Sequence, residues 1–252
     1  MTGGGCGCEL NRIEQMIRHI YWESETRGVV IGVSGGIDSS VAAAVCARAL
    51  GPGSVLALSL PTGVSDPADL EDAAELCRLL GCEHRVVSIE PVLDSYRRLP
   101  GFDPGPVLLG NVMARTRMTV LYHVANRDGR LVCGTSNRTE YLLGYSTKWG
   151  DSAADVQPLL HLYKRDVCRL GRELGLPQRI IEKPPTAGLW PGQRDEDELG
   201  LTYAEIDGAL EELESGGWTA RTPVEEQVLA RVRAAGHKRR APISLFGDSP
   251  GF

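Results

Sequence analysis

No stretch of this sequence approaches the ~18 consecutive apolar residues that a membrane-spanning helix needs. The first residues, Met1-Thr2-Gly3-Gly4-Gly5, have neither a basic start nor an apolar core, so they do not read as a secretory signal. Cysteine pairs with CxxC spacing are missing. Cys6-x-Cys8 stands alone, and Cys46, Cys77, Cys82, Cys133 and Cys168 are scattered, so no tetrahedral metal site is written in the chain. Free thiols without a signal predict a reducing, cytoplasmic setting. Positive charge is also short: 27 Lys and Arg stand against 33 Asp and Glu, a net charge of −6. That argues against a nucleic-acid or anionic-membrane partner. The run His237-Lys238-Arg239-Arg240 is the exception, and on charge alone it reads as a solvated loop. Two phosphate motifs are absent as well. There is no G-x-x-x-x-G-K-[ST], and no G-x-G-x-x-G follows a strand.

What is present is ordinary globular material: 252 residues, 42% hydrophobic and 24% charged, enough to bury most of the apolar surface without staples. Thirty glycines point to tight turns or close approaches to a ligand. Helical spacing runs through 10–25, and residues 28–33 form a short apolar run rich in β-branched side chains, the signature of a buried strand. Further strands are predicted at 54–60, 85–89 and 130–133. Helices are predicted at 41–50, 68–80, 111–125, 164–174, 203–214 and 223–235, with a Pro/Gly-rich loop over 98–108. Strands alternating with helices predict an α/β fold: a doubly wound, mostly parallel sheet with helices on both faces. No linker is long enough to separate a second domain from the first, so 1–252 reads as a single domain, with 1–27 an N-terminal extension and helix.

The segment 28–50 is the most informative. After the strand, Ser34-Gly35-Gly36-Ile37-Asp38-Ser39-Ser40 leads into an Ala/Val-rich helix. Ligands of parallel sheets bind beyond the carboxyl ends of strands, and the free amides of a new helix favour an anion there. Gly35 and Gly36 let the backbone wrap a phosphate, and Ser34, Ser39 and Ser40 add hydroxyls. Asp38 would repel a bare phosphate, so it suggests an intervening cation; Mg²⁺ suits oxygen ligands. Two other readings fit the same letters. Gly32-Val33-Ser34-Gly35-Gly36 is a literal G-x-S-x-G nucleophile elbow, with Ser34 as nucleophile and His237 as base. It could also be a plain strand-to-helix turn in which Asp38 caps the helix.

Ser34-Gly-Gly-Ile-Asp-Ser39 resembles the pyrophosphate loop S-G-G-x-D-S of the N-type ATP pyrophosphatases, with their adenine nucleotide alpha-hydrolase-like fold. Further blocks resemble the ammonia-dependent NAD⁺ synthetases within that group. They are Asn111–Met118, Gly134–Glu140, Gly144–Asp151, Lys183–Trp190, Gly192–Leu199 and His237-Lys238, which spread the resemblance over 28–240. The resemblance implies a ligase that joins deamido-NAD⁺ and ammonia. ATP is the co-substrate, an NAD-adenylate forms, and AMP and pyrophosphate are released. It also implies Mg²⁺ and a homodimer, with neither nucleic acid nor membrane as partner.

Carried over residue by residue, Gly32, Val33, Ser34, Gly35, Gly36, Ile37, Asp38 and Ser39 form the ATP phosphate loop. Thr135, Lys164 and Thr186 match ATP contacts, and Asp38 with Glu140 match Mg²⁺ ligands. Asp38 and Lys164 are then the residues expected to act in catalysis. Arg115, Lys148, Asp155, His237 and Lys238 match contacts to deamido-NAD⁺. Each also has an ordinary reading: Glu140 as a first-turn helix acid, Lys164 as a solvated helix lysine, Asp155 as a turn former, His237-Lys238 as tail surface. Ser136 and Arg138 depart from the family's usual G-T-G-N-K-S-E block. Another adenylating or thiolating enzyme of the same group is the alternative, though paired cysteines of the thiolating kind are absent.

Overall fold

The computed structural model describes residues 6–242. Met1–Gly5 lie outside the described residues, so the expectation about that segment is not addressed by the structure. Helix α1 (Cys6–Ser24) leads into β1 (Val29–Gly32), α2 (Ile37–Leu50), β2 (Val55–Ser59), α3 (Pro67–Leu80) and β3 (Glu83–Val86). Then come α4 (Glu90–Arg97), α5 (Pro106–Asp128), β4 (Leu131–Cys133) and α6 (Arg138–Leu143). The chain closes with α7 (Lys164–Glu173), α8 (Gln178–Ile181), α9 (Asp195–Leu199), α10 (Tyr203–Ser215) and α11 (Pro223–Ala234). A 3₁₀ turn follows at Ala235–Arg239.

The four strands are parallel in the order β3-β2-β1-β4. From β1 the chain winds outward through β2 and β3, then crosses by α5 to the other side of β1. The direction of winding therefore reverses between β1 and β4, which is where open parallel sheets place their ligands. Both faces of the sheet are covered, as the near-continuous apolar strands require. Val29 and Ile31 of β1 with Val55 and Ala57 of β2 pack on α1, α2, α3, α7 and α8. The alternate residues Val30, Leu56 and Leu58 face α4 and α5 through Leu93, Met113 and Val124. Val30 and Ile31 are wholly buried, each contributing ~1.5–3 kcal/mol from burial. A smaller apolar cluster joins α6, α9, α10 and α11 through Leu143, Leu199, Leu210, Leu213 and Val228.

Several expected boundaries shift. Helix α1 begins at Cys6, ahead of residue 10, and α2 begins inside the glycine motif. Helix α5 begins at Pro106, within the stretch read as loop, because proline is at home in a first helical turn. The third strand ends at Val86; Ile89 instead precedes α4, where Leu93 alone is fully buried. Among the described residues no helix is long and apolar enough to cross a membrane.

Candidate active site

Gly35 turns the chain out of β1 with φ of +80°. A side chain there would also meet the Asp69 carbonyl oxygen at 2.4 Å, so glycine is required by conformation and by space. The turn is knitted by its own serines. Ser34 Oγ lies 3.2 Å from Ser39 Oγ and accepts from the Gly36 N–H at 3.3 Å. Ser39 and Ser40 hydroxyls donate to the Gly36 carbonyl at 3.0 and 2.8 Å. Gly36 is the N-cap of α2 and supplies no capping side chain, so the first amides of α2 are left for a ligand. No histidine or carboxylate is among the partners of Ser34 Oγ, and His237 Nδ1 instead meets the Ala234 carbonyl. The serine-nucleophile reading is therefore set aside.

Asp38, in the first turn of α2, is held from two other elements. Its Oδ2 is 2.5 Å from Lys164 Nζ, and its Oδ1 accepts from Asn137 Nδ2 at 2.8 Å. Glu140 Oε1 lies 3.7 Å from the same ammonium. Lys164 is buried, and its amine sits 5.0 Å above the Tyr203 ring, while the Tyr203 hydroxyl donates to Asp195. Burial pulls Lys164 toward the neutral amine; the carboxylates of Asp38 and Glu140 outweigh it and hold the pKa above the usual lysine value. Burial, and then the charge of Asp38, push Glu140 up to about 8 against the pull of Lys164. Burial likewise raises Asp195, opposed by Tyr203, Lys164 and Tyr145. Carboxylates outnumber ammonium groups here, so the pocket has a place for further positive charge.

The sequence builds this arrangement locally. Asn137 and Glu140 form a reciprocal capping box on α6: the Asn137 side chain accepts from the Glu140 N–H at 2.9 Å, and Glu140 Oε2 accepts from the Asn137 N–H at 3.2 Å. Glu140 is thus a first-turn helix acid and a neighbour of Asp38 at once. Lys164 opens α7, whose N-cap Tyr163 gives no side-chain cap. Thr139 Oγ1 accepts the Lys164 N–H at 3.1 Å, and Asp207 accepts both the Thr139 hydroxyl and the Arg165 N–H. Thr135 lies half-buried between β4 and α6, and Thr186 Oγ1 accepts the Gly188 N–H at 3.1 Å in the loop before α9.

A second group gathers beside the middle of α5. The Arg115 guanidinium donates to the Lys148 carbonyl at 3.3 Å, and Lys148 Nζ donates to the His237 carbonyl at 2.7 Å. Lys238 Nζ donates to the carbonyls of Gly144 and Ser146, both at 2.7 Å. The basic run is therefore stitched to the loop after α6, which corrects the solvated-loop reading. Asp155 stands apart: its oxygens accept from the Val132 N–H at 2.7 Å and the Tyr122 hydroxyl at 3.2 Å. Arg138 pairs with Glu214 and lies over the Tyr163 ring, so this departure from the family block serves packing of α6 on α10.

A model of the NAD synthase family matches residues 9–242. The chain belongs to this family. It is 60% identical over 240 residues to the NH(3)-dependent NAD(+) synthetase of Methanoregula boonei, covering 95% of this chain and 97% of that one. Identity to the Thermococcus kodakarensis protein of the same name is 47%, over 88% and 90% of the two chains. Among solved structures, the NH3-dependent NAD synthetase of Campylobacter jejuni superposes with a TM-score of 0.83 at 32% identity, covering 96% of this chain and all of that one. An NMN synthetase from Francisella tularensis superposes with 0.88 at 36%, covering 99% of this chain and all of that one.

Asn137, Thr139, Asp195, Tyr203 and Asp207 are site-building residues that reading the sequence did not single out. Only Asn137 had a local signal, the N-x-x-E spacing of a capping box. The others act through contacts between distant segments.

Proposed function

We propose that the chain converts deamido-NAD⁺ to NAD⁺ with ATP and ammonia, releasing AMP and pyrophosphate. The observation that supports this best is the Asp38–Lys164–Glu140 constellation at the turning point of the sheet, assembled from three separate helices, α2, α7 and α6. In this reading the amides at the start of α2, with Ser34 and Ser39, receive the ATP phosphates, aided by Thr135 and Thr186. An oxygen of the nicotinate carboxylate attacks the α-phosphorus, and pyrophosphate leaves with the bonding electron pair. Lys164, fully charged, offsets the charge that builds on the departing pyrophosphate. Ammonia then attacks the acyl carbon, AMP leaves, and the surplus proton passes to water. No protein nucleophile is needed; holding two anions together in alignment is the main task.

Asp38 and Glu140 are the residues that would hold Mg²⁺. Both donors are hard oxygens, and among the described residues no three His, Cys, Asp or Glu side chains could hold a metal by themselves. A cation here would complete its shell with phosphate oxygens and water, as Mg²⁺ does. Bound there, it would draw off charge from the phosphates. Arg115 and Lys148 supply the positive charge of the wall that receives the dinucleotide, with His237 beside them, Lys238 shaping the loop and Asp155 a further contact. A homodimer and a cytoplasmic setting belong to the same proposal.

The Francisella likeness supports one second reading, amidation of the mononucleotide analogue, in which the same carboxylate chemistry acts on a smaller substrate. Incubating the protein with ATP, Mg²⁺, ammonium and either acceptor decides between them. Preferred turnover of deamido-NAD⁺ to NAD⁺ is expected; preferred turnover of nicotinate mononucleotide, or ADP as the nucleotide product, overturns the proposal.

A further inference from the structure

Lys183 lies just before the rigid Pro184-Pro185 pair, at the root of the loop that carries Thr186. Its side chain is half-buried and its amine is taken up by protein oxygens. It donates to Asp69 Oδ1 at 2.8 Å, pairs with Asp72 Oδ2, and reaches the Gly35 carbonyl at 3.5 Å. Asp72 is buried, and Arg179 takes its other oxygen at 2.6 Å. Two carboxylates already match the charge of Lys183, so its contact with the phosphate loop is orientational.

The peptide it touches joins two glycines. Gly35 has φ of +80°, and a glycine-glycine peptide has little steric resistance to rotating by half a turn. In a trans peptide the carbonyl and the N–H point in opposite directions. With the Gly35 carbonyl drawn toward Lys183, the Gly36 N–H points inward to Ser34 Oγ, on the side where the helix offers its free amides. We infer that Lys183 is a positioning residue for the phosphate loop. It pins the Gly35–Gly36 peptide in the anion-accepting orientation and links that orientation to α3 and to the Thr186 loop.

This inference rests on the reading of Gly32–Ser39 as the phosphate loop. The test is calorimetric binding of inorganic pyrophosphate, with Mg²⁺, to the full chain and its variants, alongside KM for each substrate. Lys183→Met is expected to weaken pyrophosphate binding and raise the KM for ATP by about tenfold, the scale of one hydrogen bond to a charged group. The KM for deamido-NAD⁺ should stay within about twofold. Arg179→Met breaks the other pair on Asp72 without touching Gly35, and should bind pyrophosphate as the parent does. If the methionine variant does not fold, Lys183→Gln, which keeps a donor for Asp72, replaces it with the same expectation. Unchanged pyrophosphate affinity on loss of Lys183, an equal loss in Arg179→Met, or parallel rises in both KM values would overturn the inference. If the parent protein forms NAD⁺ yet binds no pyrophosphate, the inference falls alone. If it does neither, the functional reading falls with it.

Discussion

Asp38 and Glu140 face one ammonium, and this imbalance has different consequences for activity and for stability. Asp38→Asn and Glu140→Gln each remove a charge that would stand between protein and phosphate. Turnover should fall more than ~100-fold in both, a loss typical of charge stabilisation in a closed site. Glu140→Gln should not lower the melting temperature, because burial and Asp38 already work against its charge. Lys164→Met should behave otherwise. It leaves two half-buried carboxylates without their partner, a change that costs ~1–3 kcal/mol. Thermal melts beside steady-state rates separate the three variants. Near-normal turnover in a folded Asp38→Asn or Glu140→Gln protein would take that residue out of the site.

At the scale of elements, the short helices decide where the functional groups point. Helix α6 has only six residues and is held by its capping box. Asn137→Ala should cost ~1 kcal/mol from the lost cap. It should also reduce turnover, because the same amide positions Asp38. A full loss of stability with unchanged turnover would contradict that double role. The edge strand β3 offers a pH test. The Ser59 hydroxyl donates to the Val33 carbonyl, so His84 Nε2 is the donor to Ser59. Burial holds the His84 pKa below 6.5. The unfolded chain takes up the proton first, so this contribution is complete above about 6.5 and drains away as pH falls toward the lowered native value. His84→Gln should therefore lose less melting temperature than the parent between about pH 7 and 5.

These elements differ in how plainly the sequence announces them. β1 and β2 are apolar on both faces and stand between glycine-rich turns, so their identity is visible without context. β3, written Glu-His-Arg-Val, lies at the sheet edge, and its ends cannot be placed by hydrophobicity. Helices α4, α6, α8 and α9 are too short for a 3.6-residue period to emerge, and α5 starts on a proline that reads locally as loop. Asp38 and Glu140 were legible because each sits in a block with a distinctive spelling, and Lys164 because it matches a single ATP-contacting position of the family. Lys183 and Asp195 sit in equally distinctive blocks, but their roles depend on which neighbours the fold brings to them, Asp69 and Asp72 in one case and Tyr203 in the other.

Across the whole molecule, the winding reversal between β1 and β4 brings the phosphate loop against the capped start of α6, while α7 supplies the lysine from beyond both. The acceptor wall proposed for Arg115, Lys148 and His237 is tied together by side-chain donation to the Lys148 and His237 carbonyls. Ammonia attacks as the neutral molecule, since ammonium has no lone pair. With a pKa near that of lysine, ~10, only a small fraction is reactive at pH 7. At fixed subsaturating ammonium, the rate should rise between about pH 7 and 8.5, up to tenfold per unit, and rates replotted against free ammonia should coincide. Curves that stay apart would place the limiting titration on the enzyme or point to another nitrogen donor.

The central claim is that the carboxylate is adenylated before nitrogen arrives, and isotope transfer tests it most directly. Deamido-NAD⁺ carrying ¹⁸O in its nicotinate carboxylate is incubated with the protein, ATP, Mg²⁺ and ammonium, and the products are weighed by mass spectrometry. The oxygen that attacks the α-phosphorus must depart with AMP when ammonia displaces it. AMP should therefore carry one ¹⁸O per NAD⁺ formed, with none in pyrophosphate. Unlabelled AMP, label in pyrophosphate, or ADP in place of AMP would contradict the mechanism.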